Sequence, residues 1–267
     1  MPASQEPTVA AFATLSEAPA AWLPTPPGFA ASPLDPRWGD CRPMVLSDGS
    51  EFLPPGHPPF SASAGSEFFA AAAQVYEVGR ALTAEQKYIA DFWADNPGAT
   101  GHPPGHWIAI VGQTSRNNRL SLMRAAEAFA AVGIAVHDAF IACWHAKYST
   151  NLLRPVTYIR RYIDSVWLSY VATPAFPTYT SGHSTQSGAA AEVLTRLFGA
   201  RPFTVTTHVD RGTAGSLGAR SFQSFREAAA EAMGVMYGGI HYEFDNQDGL
   251  EVGQRVGRAV LDRIRFI

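Results

Sequence analysis

The stretch Lys147-Tyr-Ser-Thr-Asn-Leu-Leu-Arg154-Pro155 places two cations seven residues apart, directly before a proline. Seven residues make about two turns of helix, so on one continuous helix both side chains project from the same face. Pro155 predicts the end or the edge of that helix, because proline lacks the backbone donor that a helix interior requires. Two cations on one face repel each other unless an anion lies between them. The stretch therefore predicts an anion site.

A second stretch, Thr180-Ser181-Gly182-His183, precedes a run of small and apolar residues that predicts a helix over 184–198. The free N–H groups and the dipole of a helix N-terminus favour an anion. Gly182 allows the backbone to approach a ligand closely. His183 is suited to proton transfer near neutral pH.

The third stretch is Gly238-Gly239-Ile240-His241-Tyr-Glu-Phe-Asp245. A carboxylate four residues after His241 can orient the imidazole and stabilise its charged form. Each of the three stretches has a plainer interpretation by itself: a solvated helix face, an ordinary turn, and a hydrogen-bonded pair at a helix start. Their ordered combination is much more specific than any one of them.

Together the three stretches resemble the signature of the vanadium-dependent haloperoxidase and type 2 phosphatidic acid phosphatase superfamily: Lys-x6-Arg-Pro, Pro-Ser-Gly-His and Ser-Arg-x5-His-x3-Asp. Four shorter segments resemble its soluble bacterial haloperoxidase-like branch: Phe-Trp-Ala-Asp-Asn-Pro-Gly (92–98), Pro-Pro-Gly-His-Trp (103–107), Ala-Lys-Tyr (146–148) and Tyr-Gly-Gly-Ile-His-Tyr (237–242). The resemblance extends from about Trp38 to the C-terminus. It implies an all-α helical bundle of the haloperoxidase/acid phosphatase type with long loops.

The resemblance also implies site roles. His183 would be the acid-base residue. His241 would be the axial ligand of vanadate, or the phosphate-attacking nucleophile in the phosphatases, with Asp245 as its partner. The oxyanion would be held by four groups: Lys147, Arg154, the Ser181 hydroxyl and the Gly182 N–H.

The chain departs from the superfamily pattern at three positions. Thr180 replaces a proline, and Gly234 and Val235 replace the Ser-Arg pair six to seven residues before His241. The planar fork of arginine suits a tetrahedral oxyanion, and its charge-assisted hydrogen bonds contribute about 1.5–3 kcal/mol each. Losing it lowers oxyanion affinity about 10- to 100-fold or more. The sequence therefore predicts a weakened site and argues against strong vanadate binding.

Other residues near the motifs are candidates for the pocket wall. Asn151, four residues after Lys147, shares its face on a continuous helix. Trp144 and Tyr148 flank Lys147 and are candidates for a hydrophobic wall, and Val235 is included because it takes the place of the arginine. The segment 98–105 is rich in Gly and Pro and predicts a loop.

Composition predicts one helical domain. Of 267 residues, 46% are apolar and 16% are charged, which favours closely packed helices. Helices are predicted over 68–80, 83–95, 121–153, 184–198, 224–237 and 247–264, and a strand over 203–207. The first 60 residues hold 13 of the 20 prolines and predict an extended arm (1–60) rather than a domain, followed by a single helical domain (61–267).

Charge and hydropathy exclude other classes. The net charge of −3 and the lack of a basic run argue against a nucleic-acid partner. No uninterrupted apolar run reaches 18 residues, and the N-terminus lacks the basic and apolar regions of a signal peptide. We expect no membrane span and a cytoplasmic location. The resemblance implies extra N-terminal helices in relatives, so this chain is expected to complete its bundle as a homodimer.

Four functions remain open at this stage. The first is a haloperoxidase in which vanadate on His241 activates peroxide. The second is a phosphate-ester or diphosphate hydrolase in which His241 attacks phosphorus. The third is a repurposed, vanadium-independent enzyme that uses His183 and His241 on a small organic substrate. The fourth is a non-catalytic binding protein. Burying several charged groups without a role is costly, which favours an enzyme acting on a small-molecule substrate.

Overall fold

The computed structural model describes residues 18–95, 101–208 and 217–265 of the chain. Within these ranges it contains eight α-helices and one antiparallel pair of short strands. In chain order they are α1 (Glu67–Arg80), α2 (Ala84–Phe92), α3 (His102–Asn117), α4 (Leu122–Thr150), α5 (Pro155–Tyr162), α6 (Gly182–Phe198), β1 (Phe203–Val205), β2 (Arg220–Phe222), α7 (Phe225–Ala232) and α8 (Glu243–Arg263). The predicted all-α bundle is confirmed, and α1, α2, α4 and α6 lie close to their predicted ranges.

Most of these helices begin at a residue whose hydroxyl accepts a hydrogen bond from the first turn. Such N-caps satisfy a backbone donor that has no partner within the helix. Thr83 forms a capping box with Gln86, whose side chain accepts from the Thr83 N–H. The other hydroxyl caps are Ser66, Ser121, Ser181 and Ser224.

The helix that carries Lys147 ends before it reaches Arg154. Helix α4 stops at Thr150, and Asn151 closes it in the left-handed conformation, with φ of 48°. Arg154 is extended, with ψ of 153°, because the proline that follows disfavours the helical region for the residue before it. Pro155 then opens α5. The prediction that one helix face carries both cations is therefore wrong.

Two other boundaries differ from their predictions. Residues 102–105, predicted as loop, belong to α3, in which Pro103 and Pro104 occupy the first turn. Proline is well placed there because the first N–H groups of a helix have no intrahelical partner. Residues 98–100 of that predicted loop lie outside the described ranges. The strand-like run contributes β1, in which Phe203 pairs with Phe222 of β2.

Helix α4 is the centre of the bundle. It packs against α3, α6 and α8. By length and composition it is apolar enough to cross a membrane. Its most apolar 18-residue stretch has a mean hydropathy of 1.5, but 56% of that stretch is buried inside the protein. A buried core helix has the same composition as a membrane-spanning one, so this hydropathy is accounted for by the bundle core.

Helices α6 and α8 approach each other closely along a line of glycines. A Cβ on Gly253 would lie 2.0 Å from the Thr185 carbonyl oxygen, and one on Gly249 would lie 2.9 Å from the Ser181 carbonyl oxygen. A Cβ on Gly188 of α6 would likewise lie 2.5 Å from the Leu250 carbonyl oxygen of α8. Larger residues would separate the helices. The close approach places the start of α8 next to the start of α6, where two of the three motifs lie.

The described part of the N-terminal arm lies on this bundle. Asp138, fully buried in α4, accepts hydrogen bonds from the N–H groups of Met44, Val45 and Leu46 at 2.8, 2.8 and 3.0 Å. Farther back, Ala21 forms a bridge with Leu152. The Asp138 carboxylate therefore fixes one turn of the arm to the central helix.

We expect Asp138→Ala to lower the free energy of unfolding by about 2–4 kcal/mol, because it leaves three backbone donors without their charged acceptor. For a domain of this size that corresponds to a fall in melting temperature on the order of 5–10 °C. The matched control is Asp262→Ala at an exposed position of α8. Equal melting temperatures for the two variants in calorimetry would contradict the anchoring role.

Candidate oxyanion site

Lys147 and Arg154 meet in space although they lie on different elements. The Lys147 ammonium donates to the carbonyl oxygens of Pro177 and Thr178 at 3.0 and 2.8 Å. Arg154 donates from Nε to the Phe176 carbonyl oxygen at 2.8 Å. Both cations also lie against the Phe176 ring, at 5.1 and 4.8 Å from its centroid. The segment 176–178 therefore brings the two charges into one place, as the sequence predicted by a different route.

The charge of this buried cluster is not balanced. Arg154 Nη1 donates to the Ile240 carbonyl oxygen at 2.9 Å, whereas Nη2 is buried without a hydrogen-bond partner among the described residues. Asp245 is the carboxylate that acts on both cations. Burial lowers the pKa of Lys147 to about 7 and that of Arg154 to about 10. An anion bound here would relieve the repulsion and supply the missing acceptor.

His241 is held in one tautomer. Its Nδ1 lies 3.0 Å from Asp245 Oδ2 and 3.1 Å from the Thr178 hydroxyl. Since a carboxylate only accepts, Nδ1 carries the proton and Nε2 keeps its lone pair. Nε2 lies 3.3 Å from Arg154 Nη1. Burial, followed by the charges of Arg154 and Lys147, holds the pKa of His241 well below its usual range, so the ring is neutral with Nε2 facing the cations.

Thr178 is a site residue that the sequence analysis missed. Its hydroxyl contacts His241 Nδ1 and donates to Asp245 Oδ2, which also accepts from the Tyr242 N–H at 3.1 Å. Burial raises the pKa of Asp245 to about 7, and the Thr178 hydrogen bond opposes that rise. The sequence contained no signal for this role, because Thr178 lies three residues before Ser181 in a segment without regular structure.

We expect Thr178→Val, which keeps the shape and removes the hydroxyl, to weaken vanadate binding about 10-fold, the usual scale for a group that orients a ligand. The conservative Thr178→Ser retains the hydroxyl and is expected to restore most of the affinity. Calorimetric titration of both variants with orthovanadate measures the difference. An affinity for Thr178→Val equal to that of the unmodified chain would rule out the orienting role.

The Ser-Gly-His segment lies at the N-terminus of α6, as predicted. Ser181 caps the helix, with Oγ 3.3 Å from the Ser184 N–H, and its own N–H donates to the Asp245 carbonyl oxygen at 2.9 Å. The Nε2 of His183 is buried without a hydrogen-bond partner in the described part of the chain. Burial lowers the pKa of His183. The neutral ring therefore offers Nε2 as a proton acceptor.

Trp144, Tyr148 and Asn151 are the predicted pocket residues whose contacts the structure describes. Trp144 lies beside the site, with its ring 5.6 Å from the Lys147 ammonium and stacked on Phe140. The Tyr148 hydroxyl donates to the Leu34 carbonyl oxygen of the arm. Asn151 ends the helix instead of continuing the Lys147 face, and its carbonyl oxygen accepts from the Trp22 N–H at 2.8 Å. The helix ends before Asn151, so the expected continuation of the Lys147 face to Asn151 is wrong, whereas the pocket roles of Tyr148 and Asn151 stay predictions.

The segment where the superfamily has Ser-Arg forms a 3-10 turn, Met233–Met236. Val235 belongs to this turn, and its side chain lies outside the described part of the structure. A Cβ on Gly234 would lie 2.3 Å from Ile89 Cγ2. The loss of serine at this position therefore has a steric reason, because α2 occupies the space that its side chain needs.

The residues present fit a tetrahedral oxyanion. Arg154 Nη2 and His183 Nε2 are buried polar atoms without partners among the described residues. The first N–H groups of α6 have no partner within their helix. His241 Nε2 presents a lone pair beside two cations. These are the donors, the charge and the single nitrogen ligand that a vanadate ion needs.

Comparison with known proteins identifies the family. The sequence matches the VCPO second helical-bundle domain over residues 127–166 and 163–267, which together span more than half of the chain. The chain belongs to the vanadium haloperoxidase family. The resemblance noted in the sequence is thereby confirmed.

Individual vanadium haloperoxidases show how far the similarity extends. The structure of a bacterial vanadium-dependent iodoperoxidase superposes with a TM-score of 0.88 and 38% identity, covering 93% of this chain and 62% of that one. A holo-type bacterial vanadium-dependent chloroperoxidase superposes with a TM-score of 0.69 at 19% identity, covering 86% of this chain and 55% of that one. At this identity the similarity shows the fold alone. Vanadium chloroperoxidase of Curvularia inaequalis is 28% identical over 135 residues, covering 41% of this chain and 22% of that protein. The chain thus spans less than two thirds of each relative.

Proposed function

We propose that this chain is a haloperoxidase-like enzyme whose buried site binds vanadate and oxidises a halide with hydrogen peroxide. The observation that carries the proposal is the Arg154 guanidinium: its Nη2 has no hydrogen-bond partner among the described residues, and its Nη1 lies 3.3 Å from the unprotonated Nε2 of His241. Similarity to an iodoperoxidase over 93% of the chain supports the same reaction class.

Vanadate, when bound, would supply a Lewis-acid centre that activates peroxide toward halide. Lys147 and Arg154 would bind its oxygens, assisted by the Gly182 N–H and the Ser181 hydroxyl. His241 Nε2 would bind the vanadium. Asp245 fixes the Nδ1 proton of His241 and so keeps the Nε2 lone pair free for the metal.

His183 would move the proton in this reaction. Its Nε2 lone pair, at a helix N-terminus and with a lowered pKa, can accept a proton from peroxide and return it to a leaving oxygen. The rings of Trp144 and Phe176 lie 5.0 Å apart beside the cations and exclude water from that side. A dry site strengthens each electrostatic contact with the anion.

A second candidate, phosphate-ester hydrolysis, rests on the bond between His241 and Asp245. The same Nε2 is placed to attack phosphorus, and Asp245 would stabilise the charged ring that results. Phosphoryl transfer depends strongly on electrostatic clamping of the equatorial oxygens. The missing arginine at position 235 therefore weakens this candidate more than the first.

The two activities separate in one pair of assays. Protein reconstituted with orthovanadate is tested for peroxide-dependent oxidation of iodide and bromide, against free vanadate as background. Vanadate-free protein is tested on p-nitrophenyl phosphate. We expect vanadate-dependent halide oxidation that Asp245→Ala strongly reduces and that His102→Asn, at an exposed position of α3, leaves unchanged. Ester hydrolysis alone would favour the second candidate, and neither activity would contradict the proposed enzyme.

A further inference from the structure

Three buried side chains with metal-ligating atoms meet outside the oxyanion site. Asp95 follows α2, His106 lies in α3, and His208 follows β1. All three are nearly inaccessible, with 4%, 2% and 4% of their surfaces exposed. One potential ligand atom from each lies within 4.8 Å of the other two. Since three separate elements supply them, the cluster is a product of the fold and not of a local motif.

The hydrogen bonds of His106 suit a ligand role. Its Nε2 lies 3.0 Å from the Thr207 hydroxyl, and its Nδ1 lies 3.1 and 3.2 Å from the two oxygens of Asp95. A metal-bound histidine characteristically donates its other N–H to an outer acceptor, and Thr207 is such an acceptor. With the proton on Nε2, the Nδ1 lone pair faces the carboxylate oxygens directly. Without a metal ion, a proton between Nδ1 and the Asp95 carboxylate satisfies both groups, and a bound cation would take the place of that proton.

The spacing fits an ion. Two ligands about 2.1 Å from a tetrahedral Zn²⁺ are about 3.4 Å apart, so the 3.1 Å between Asp95 and His106 would widen by only about 0.3 Å on binding. The His208 ring makes edge-to-face contacts with the rings of His106 and Phe92, with ring centroids 4.9 and 4.6 Å apart. The three ligand atoms lie within 4.8 Å of one another, so binding would draw the most distant of them together by roughly 1 Å.

We propose that Asp95, His106 and His208 form a binding site for one divalent transition-metal ion. Two imidazoles and one carboxylate suit Zn²⁺, Fe²⁺ or Co²⁺ better than Mg²⁺ or Ca²⁺, which prefer oxygen ligands. The ion would join the end of α2, helix α3 and the segment after β1.

Zinc binding tests this site independently of vanadate. Protein stripped with a chelator is titrated with Zn²⁺ by calorimetry, and Co²⁺ serves as a spectroscopic probe of coordination. Asp95→Asn is the sharpest variant, because Asp95 has φ of 46°, a conformation that asparagine tolerates well. His208→Gln is a second variant on another element. His102→Asn, an exposed position of the same helix as His106, is the matched control.

We expect one Zn²⁺ per chain for the unmodified protein and for His102→Asn. Affinity should fall at least about 100-fold in Asp95→Asn and by about 10- to 100-fold in His208→Gln. Should Asp95→Asn not fold, His208→Gln decides the matter alone. Absence of Zn²⁺ binding, or binding unchanged in both variants, would overturn the metal site and leave a hydrogen-bonded Asp-His-Thr relay.

Discussion

His241→Asn is expected to abolish vanadate binding and, with it, peroxide-dependent halide oxidation. The asparagine amide can still donate to Asp245 from about the position of Nδ1, so the hydrogen bond that orients the residue survives. The nitrogen that faces Arg154 is lost. Changes to groups that only orient metal ligands cost about 10- to 100-fold in affinity, so loss of the ligand itself should cost at least about 100-fold. Calorimetric titration with orthovanadate measures this effect.

The choice of asparagine matters because His241 is buried with Asp245, whose Oδ1 already lacks a partner among the described residues. An alanine at position 241 would also remove one hydrogen-bond donor from Asp245 Oδ2 and would destabilise the fold. Loss of vanadate binding could then result from unfolding and not from loss of the ligand nitrogen. His102→Asn makes the same replacement at an exposed position. If His241→Asn bound vanadate as tightly as this control, His241 would not be the vanadium ligand.

Val235→Arg is expected to strengthen vanadate binding by about 10- to 100-fold. The reason is that guanidinium groups form charge-assisted hydrogen bonds with oxyanions worth about 1.5–3 kcal/mol each. The position belongs to the turn that leads into His241. Gly234 is kept in this variant, because a side chain there would meet Ile89. The dissociation constant for orthovanadate is the measured quantity.

Val235→Met is the matched control, since it adds a long side chain without charge. It should leave the affinity within about 3-fold of the unmodified chain, because apolar atoms form no hydrogen bond with an oxyanion. Equal affinities for the arginine and methionine variants would mean that another cation already fills that corner of the site. The account of a weakened site would then be wrong.

The sequence predicted which motif residues lie together better than it predicted the path of the backbone between them. Ser181 and His183 were placed at a helix start because small residues and a hydroxyl cap leave a clear local pattern. Lys147 and Arg154 were placed together through a continuous helix that does not exist. The two side chains converge because the carbonyl groups of segment 176–178 bind both, and such a long-range contact has no local signature.

Other features were beyond the sequence for the same reason. The contact of Thr178 with His241 joins residues 63 positions apart, and the meeting of Asp95 with His208 depends on how α2 packs near β1. Hydrophobic periodicity predicts which face of a helix is buried but not which partner covers it. The homodimer, the cytoplasmic location and the boundary between arm and domain at residue 60 stay predictions.

Anomalous scattering from a crystal soaked in tungstate, a close analogue of vanadate, tests the oxyanion site most directly. The account predicts one tungsten peak per chain within bonding distance of His241 Nε2, with tungstate oxygens contacting Lys147 and Arg154 Nη2. A tungsten peak elsewhere, or none at a concentration that saturates the protein in solution, would contradict the assignment of this buried cluster as the oxyanion site.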